Sequence, residues 1–167
     1  RRVEAADTLL VYPKLLPLCD AAINIAPTLE QKKDILQNAV DALTRMGITQ
    51  PKVAVLASAE TVNEKMPESV DAAALKRMNE QGEITGCVVE GPISYDLAVC
   101  RESAETKGYE SPVAGDADLL VCPNIVTANV LIKCLRHSAE ALTAGIVIGG
   151  RVPVVLKDKQ AATAERL

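Results

Sequence analysis

Short apolar runs alternate with amphipathic segments along most of this chain. Runs rich in Val, Leu and Ile predict β-strands, because buried parallel strands need continuous apolar stretches. These predicted strands cover Leu15–Asp20, Lys52–Ala57, Gly86–Glu90, Asp118–Cys122, Ala144–Gly149 and Val152–Leu156. Apolar residues at helical spacing predict helices for the segments between and after them. The predicted helices cover 29–46, Asp71–Gln81, Ser94–Glu102, Val126–Leu142 and Gln160–Leu167.

The first helix has specific signals at both ends. Thr28 is a favourable N-cap residue, and Gln31 three positions later completes a capping-box pattern. Gly47 is placed to end the helix, because glycine readily adopts the left-handed conformation common just beyond a helix C-terminus.

Strand followed by helix, repeated with short links, is typical of an α/β fold. We therefore predict a three-layer architecture in which helices cover both faces of one sheet. The length of 167 residues fits one folding unit, since domains usually contain about 100–200 residues.

Composition restricts the possible partners. The chain has no Phe or Trp, only three Tyr, and a formal net charge of −4. Nucleic-acid binding usually needs basic surfaces, and single strands also need aromatic stacking platforms, so no nucleic-acid partner is expected. No apolar stretch approaches the roughly 20 residues of a membrane-spanning helix, and the first residues carry no signal-peptide pattern. We expect a cytoplasmic protein without a membrane partner.

The sequence predicts neither a metal centre nor a disulfide framework. His137 is the only histidine, and the five cysteines are widely spaced without a C-x-x-C motif. Such cysteines are typical of small buried hydrophobic residues in a reducing compartment. A catalytic thiolate would need His137 as its base, but that residue lies on an amphipathic helical segment.

Polar residues and glycines follow the predicted strands. Ligands of open α/β sheets bind at the carboxyl ends of the strands, so these residues are candidates for substrate binding. The candidates at or beyond strand ends are Asp20, Asn24, Ser58, Glu90, Gly91, Asp96, Asn124, Asn129 and Lys133. Gly115 and Asp116, just before the fourth predicted strand, complete the set.

Several candidates have a structural alternative that the sequence leaves open. Asp, Asn and Ser side chains commonly cap helices, because their oxygens accept hydrogen bonds from unpaired N–H groups. This alternative applies to Asp20, Ser58, Asp96 and Asn124. The glycines could instead permit tight turns, and Lys133 could lie on a solvated helix face. The chain has no Walker A loop and no G-x-G-x-x-G motif, so nucleotide binding lacks motif support.

Five segments, taken in order, resemble one enzyme family. They are Ile23-Asn24-Ile25-Ala26-Pro27, Val53–Ala57, Glu90-Gly91-Pro92-Ile93-Ser94-Tyr95-Asp96, Ser111–Asp118 and Ala144–Gly149. Together they resemble the phosphate acyltransferases over nearly the whole chain from about Pro13. Glu90-Gly91-Pro92 followed by Asp96 is more similar to the phosphate butyryltransferase form than to the acetyltransferase form.

The resemblance implies an activity and a domain organisation. The family transfers an acyl group between CoA and phosphate, with small-molecule substrates and no metal or redox cofactor. Its fold is similar to that of isocitrate and isopropylmalate dehydrogenases, with the active cleft between two α/β domains. Residues 1–150 would form the second domain, and residues 151–167 would begin the return into a first domain that this chain lacks. The fourth predicted helix has an apolar stripe of Val126, Leu131, Ile132 and Leu135. Its family counterpart implies a homodimer or larger homo-oligomer, whereas the same stripe could equally pack on this chain's own sheet.

The C-terminal segment departs from the family pattern. The family places a Thr-Ser-Arg-x-Asp-like run there, in which Ser and Arg stabilise the CoA thiolate and Asp takes the thiol proton. This chain has Lys157-Asp158-Lys159, in which Lys159 takes the place of the Arg as the cation and Asp158 that of the Ser, while Ala161 takes the place of the Asp. Asp158 could act as a displaced base or only begin a solvent-exposed helix. Lysine lacks the two-pronged hydrogen bonding of arginine.

That departure leaves a second hypothesis open. The chain could be a non-catalytic or truncated relative that binds CoA or an acyl phosphate, or that only assembles. A dehydrogenase of similar fold is a weaker third hypothesis, since the sequence has neither a cluster of metal-binding Asp residues nor a dinucleotide loop.

Overall fold

A computed structural model describes residues 12–150 and 154–156. Its main sheet contains β1 (Leu18–Cys19), β2 (Lys52–Leu56), β3 (Val88–Ile93) and β4 (Leu119–Val121). All neighbouring strands run parallel, in the order β1-β4-β2-β3. The predicted α/β class with a parallel sheet is therefore confirmed.

Five helices connect or follow these strands within the described residues. They are α1 (Leu29–Arg45), α2 (Pro67–Glu80), α3 (Tyr95–Val99), α4 (Arg101–Thr106) and α5 (Ile125–Ser138). A separate antiparallel pair consists of β5 (Gly145–Val147) and β6 (Val154–Leu156). The predicted helix over Gln160–Leu167 lies outside the described residues.

The capping box predicted for α1 is present. The Thr28 hydroxyl accepts a hydrogen bond from the Gln31 backbone N–H at 3.3 Å, and the Gln31 side chain accepts one from the Thr28 N–H at 2.9 Å. Two N–H groups that the helix itself leaves unpaired are thus satisfied.

Helices pack against both faces of the main sheet. Val53 and Val55 of β2 belong to one buried cluster, together with side chains of α1 and α2. Ala54 and Leu56 belong to a second cluster, together with side chains of α3, α4 and α5. Since successive side chains of a strand point to opposite faces, the two clusters lie on opposite sides of the sheet.

β3 corrects the prediction that the third strand ends at Gly91-Pro92. The strand continues through both residues to Ile93. Among the described strands, β3 is an edge strand, and a proline without an N–H is tolerated in an edge strand. A Cβ on Gly91 would lie 2.9 Å from the Val55 Cβ and 3.2 Å from the Ala72 Cβ, so this glycine allows close packing and not a turn.

Other element boundaries differ from the predictions for local reasons. α2 begins at Pro67, four residues earlier than predicted, because proline fits the first position of a helix. The helix predicted over Ser94–Glu102 is divided into α3 and α4, since Cys100 between them has an extended backbone. β1 is shorter than the predicted Leu15–Asp20, and α5 ends at Ser138 and not at Leu142.

Gly115 provides a direct test of close packing between segments. Its φ is +68°, its N–H donates to the Leu97 carbonyl at 2.8 Å, and a Cβ would lie 2.5 Å from the Arg101 Cα. Gly108 has a similar φ of +62° but open space around it. An alanine at either position would have to adopt a left-handed conformation, which costs about 1–2 kcal/mol. Only at Gly115 would its Cβ also clash with neighbouring backbone atoms.

We therefore expect Gly115→Ala to lower the free energy of unfolding by about 1–3 kcal/mol more than Gly108→Ala does. Urea denaturation of both variants measures the difference. Equal losses would contradict the described packing of Gly115 on α4.

Candidate functional site

The carboxyl ends of β1 and β4 carry a first group of candidate residues. Asp20 directly follows β1, and both of its carboxylate oxygens are occupied. Oδ1 accepts hydrogen bonds from the N–H groups of Ala22 (2.9 Å) and Ile23 (3.0 Å). Oδ2 accepts them from the backbone N–H of Asn24 (2.8 Å) and from its side-chain amide (2.6 Å). Asp20 therefore folds the loop after β1 and has little capacity left for a substrate.

These contacts determine the charge state of Asp20. Burial raises the pKa of its carboxyl, but the N–H groups of Ala22, Asn24 and Ile23 together outweigh that effect. The pKa consequently lies below its ordinary value, and the carboxylate stays ionised at neutral pH.

α5 is attached to the same loop. The Asn124 side chain caps the helix by accepting a hydrogen bond from the Thr127 N–H at 3.0 Å, which agrees with the capping alternative. The Asn129 side-chain amide donates to the Ala21 carbonyl at 3.3 Å, and the Ile125 N–H donates to the loop at 3.1 Å. The loop after β1 and the first turns of α5 thus form one unit.

Polar atoms of this unit remain available. The Asn124 side-chain NH₂ has no hydrogen-bond partner among the described residues, and the Asn24 and Asn129 NH₂ groups each have one N–H beyond the described hydrogen bond. Lys133 lies one turn beyond Asn129, is exposed, and forms no ion pair within the described part of the chain. Residues four apart share a helix face, so Lys133 lies on the face that carries Asn129.

A second group lies beyond the carboxyl ends of β2 and β3. The Ser94 hydroxyl donates to the Glu60 carboxylate at 2.6 Å. The Lys107 ammonium lies 3.4 Å from Glu60 and 3.2 Å from Asp96, so it bridges the two carboxylates. Ser58, directly after β2, is exposed and forms no hydrogen bond within the described residues.

The second group is charged at neutral pH. The Ser94 hydrogen bond is the main cause that lowers the pKa of both the Glu60 and the Asp96 carboxyl groups. The hydrogen bond to Asp96 raises the pKa of Lys107. Two carboxylates and one ammonium leave a net charge of −1, which disfavours a phosphate at this position.

No motif or pattern in the sequence indicates Lys107 as a site residue. It follows α4, whose last turn the predicted helix over Ser94–Glu102 did not include. Only the tertiary contact with Asp96 and Glu60 places it at this edge of the sheet.

Gly115 and Asp116 lie at the amino ends of the strands, which form the amino edge of the sheet. This position corrects their grouping with the candidates at the carboxyl ends, the carboxyl edge. Asp116 forms ion pairs with Lys14, at 2.7 Å, and with Lys52, the first residue of β2. In a parallel sheet all strands begin at the same end. Residues just before β4 therefore lie at the amino ends of the strands, away from the carboxyl ends. The two lysines pair with the Asp116 carboxylate, and Gly115 packs on the Arg101 backbone.

Glu90 also departs from its predicted place. It lies inside β3 opposite Ala54, is 7% exposed, and does not follow the strand end. Its carboxylate accepts hydrogen bonds from the Lys76 ammonium at 2.8 Å and from the Gly91 N–H at 3.0 Å. Buried and paired in this way, it belongs to the sheet and not to the carboxyl-edge group.

The predicted catalytic residues cannot be located in the described part of the structure. Asp158 and Lys159 lie outside the described residues. Within residues 12–150 and 154–156, no three His, Cys, Asp or Glu side chains come together as metal ligands could. None of the described helices is long and apolar enough to cross a membrane.

Asp20 gives a pH-dependent prediction. Since its folded-state pKa is lowered, its stabilisation is present at neutral pH and is lost as the pH falls through that pKa. We expect Asp20→Asn to lower the free energy of unfolding at pH 7 by about 1 kcal/mol, after allowance for partial exposure. The difference from the wild type should shrink towards about pH 2.

Urea denaturation across this pH range measures the effect. Asp34→Asn is the control, because Asp34 is exposed on α1 and accepts no described hydrogen bond. A difference for Asp20→Asn that stays constant with pH would contradict the role given to its ionised carboxylate.

Comparisons with known proteins agree with the resemblance. Residues 5–166 match the family described as "Phosphate acetyl/butaryl transferase". Phosphate acetyltransferase of Rhizobium meliloti is 47% identical over 150 residues, which are 90% of this chain and 48% of that protein. Phosphate butyryltransferase of Clostridium acetobutylicum is 43% identical over 148 residues, which are 89% of this chain and 49% of that protein. The chain spans about half the length of these curated relatives.

Solved structures show the same relationship. A branched-chain phosphotransacylase from Enterococcus faecalis V583 matches with a TM-score of 0.84 and 38% identity, over 92% of this chain and 55% of that one. A phosphotransacetylase from Staphylococcus aureus matches with a TM-score of 0.70 at 19% identity, over 87% of this chain and 45% of that one, and shows the shared fold alone. The extent of the family match shows that this chain belongs to the phosphate acetyl/butyryl transferase family.

Proposed function

We propose that this chain is part of a phosphate acyltransferase that moves a short-chain acyl group between CoA and phosphate. The family match over residues 5–166 carries the proposal. Residues 1–150 would be one of two α/β domains arranged as in isocitrate and isopropylmalate dehydrogenases, and residues 151–167 would lead into the other. The chain would then supply one side of the active cleft.

The reaction needs a base and a cation but no change of oxidation state. The CoA thiol loses its proton, the thiolate attacks the carbonyl of the acyl phosphate, and inorganic phosphate leaves. A thiol with a pKa near about 8.5 is a weak nucleophile at neutral pH unless a base takes its proton and a cation stabilises the thiolate. We assign Asp158 as the base and Lys159 as the cation. Neither a metal nor a redox cofactor enters this sequence of steps.

The β1–β4 half of the carboxyl edge suits the anionic substrates better than the β2–β3 half. N–H donors of the Asn24, Asn124 and Asn129 side-chain amides are available there, and Lys133 adds a positive charge without a described counter-ion. The group around Glu60 has a net negative charge instead. We therefore propose that CoA or phosphate contacts the amides and Lys133, with Ser58 beside them after the next strand of the sheet, β2.

The proposal also includes a butyryl-like acyl group and a homo-oligomeric assembly. Identities of 47% to an acetyltransferase and 43% to a butyryltransferase do not separate the two activities. The match to a branched-chain phosphotransacylase supports a butyryl-like substrate. Val126 and Val130 are 67% and 62% exposed on one stripe of α5, which supports a homodimer or larger homo-oligomer.

A phosphate-dependent release of CoA tests the activity. We expect the longest natural form of the protein to convert butyryl-CoA and phosphate to butyryl phosphate and CoA, with a higher kcat/KM than for acetyl-CoA. A thiol reagent detects the CoA released. We expect the 167-residue chain alone to be inactive, because it holds only one side of the cleft. Absence of turnover with every short-chain acyl-CoA would contradict the function and favour a non-catalytic relative.

Lys159 can be tested beside a neighbouring lysine. Lys159→Ala should lower kcat by about 100-fold, since it removes the charge that stabilises the thiolate. Lys159→Arg should retain activity, and Lys157→Ala is the matched control that should resemble the wild type. Full activity of Lys159→Ala would show that another group carries this role.

A further inference from the structure

Among the described residues, β3 is the last strand on its side of the main sheet. A strand in this position presents unpaired N–H and C=O groups, which form a template for pairing with another chain. The Val88 N–H donates to the Pro51 carbonyl at 3.1 Å, so Val88 and Glu90 turn their backbone groups toward β2. By the alternation of a parallel pair, Val89 and Gly91 turn theirs outward.

One side chain of α2 binds this outer edge as a neighbouring strand would. The Asn79 side-chain oxygen accepts a hydrogen bond from the Val89 N–H at 3.1 Å. Its NH₂ donates to the Cys87 carbonyl at 3.2 Å and to the Ile84 carbonyl at 3.0 Å. A single amide thus satisfies an outward donor of β3 and the carbonyl of the residue just before the strand.

Two further side chains extend the cover along β3. Glu90 accepts hydrogen bonds from the Gly91 N–H at 3.0 Å and from the Lys76 ammonium at 2.8 Å. The Tyr109 hydroxyl donates to the Pro92 carbonyl at 3.3 Å. Pro92 itself has no N–H to offer.

We propose that Asn79, Glu90 and Tyr109 close the outer edge of β3 against pairing with β3 of a second copy of this chain. The segment Val88–Ile93 is apolar apart from Glu90 and Gly91, and its proline and its buried charge are features that natural edge strands use against intermolecular pairing. An added strand would have to displace the amide of Asn79 and separate the Glu90–Lys76 ion pair. This closure does not depend on the acyl-transfer activity.

The closure explains the position of Glu90. A carboxylate inside a strand of an apolar sheet is costly unless it is paired. Here its carboxylate accepts hydrogen bonds from the backbone of its own strand and from a lysine of α2. Its placement therefore helps to cover the outer edge of β3.

Asn79→Ala tests the proposal in the full chain. Gln37→Ala is the matched control, because the Gln37 amide also accepts from one backbone N–H and donates to one carbonyl, both of Thr85, which lies outside any strand. We expect the Val89 amide of Asn79→Ala to exchange hydrogen about tenfold faster and the mass in light scattering to rise above that of the wild type with concentration. We expect the control to keep the wild-type values for both.

A folded Asn79→Ala variant with the wild-type mass at every concentration would overturn the proposal. If this variant does not fold, Tyr109→Phe decides the question, since it keeps the packing of the ring and removes only the hydroxyl. A rise in mass with concentration for Tyr109→Phe supports the closure, and a wild-type mass contradicts it.

Discussion

Burial of β2 on both faces is the constraint on which the rest of the structure depends. Its residues from Val53 to Leu56 are each at most 5% exposed, and β2 pairs with β4 on one side and β3 on the other. Each buried Val or Leu contributes about 1.5–3 kcal/mol, so the chain cannot shift this strand without losing much of its stability. The lack of Phe and Trp is compatible with this arrangement, because small aliphatic side chains let helices lie close to both faces.

Parallel pairing around β2 then divides the polar residues between two edges. At the amino edge, Asp116 and Asp118 bind Lys14 and Lys52, so the charges there neutralise one another. At the carboxyl edge, the amides and Lys133 near β1 and β4 keep capacity for a ligand. The group around Glu60 keeps its negative charge through the Ser94 hydrogen bond. The chemistry of an anionic substrate therefore favours one half of one edge.

The sequence predicts what depends on local pattern and misses what depends on contacts. Apolar periodicity located the helices, and Thr28 with Gln31 gave the start of α1. Glu90 and Gly91 were placed at a strand end because Gly-Pro usually marks a turn, whereas packing of β3 on Val55 carries the strand through them. Asp116 could have been placed correctly, since a residue before a parallel strand lies at the amino edge. Lys107 could not, because its position follows from ion pairs with residues far away in sequence.

We propose above all that CoA or phosphate binds on the β1–β4 half of the carboxyl edge. Nuclear magnetic resonance titration of the longest natural form with CoA and then with phosphate tests this most directly, through the side-chain amides of Asn24, Asn124 and Asn129. We predict that these three signals shift with saturation while the backbone amides of Lys52 and Asp116 do not. Saturable shifts of Lys52 and Asp116 without any change at the three asparagines would contradict it.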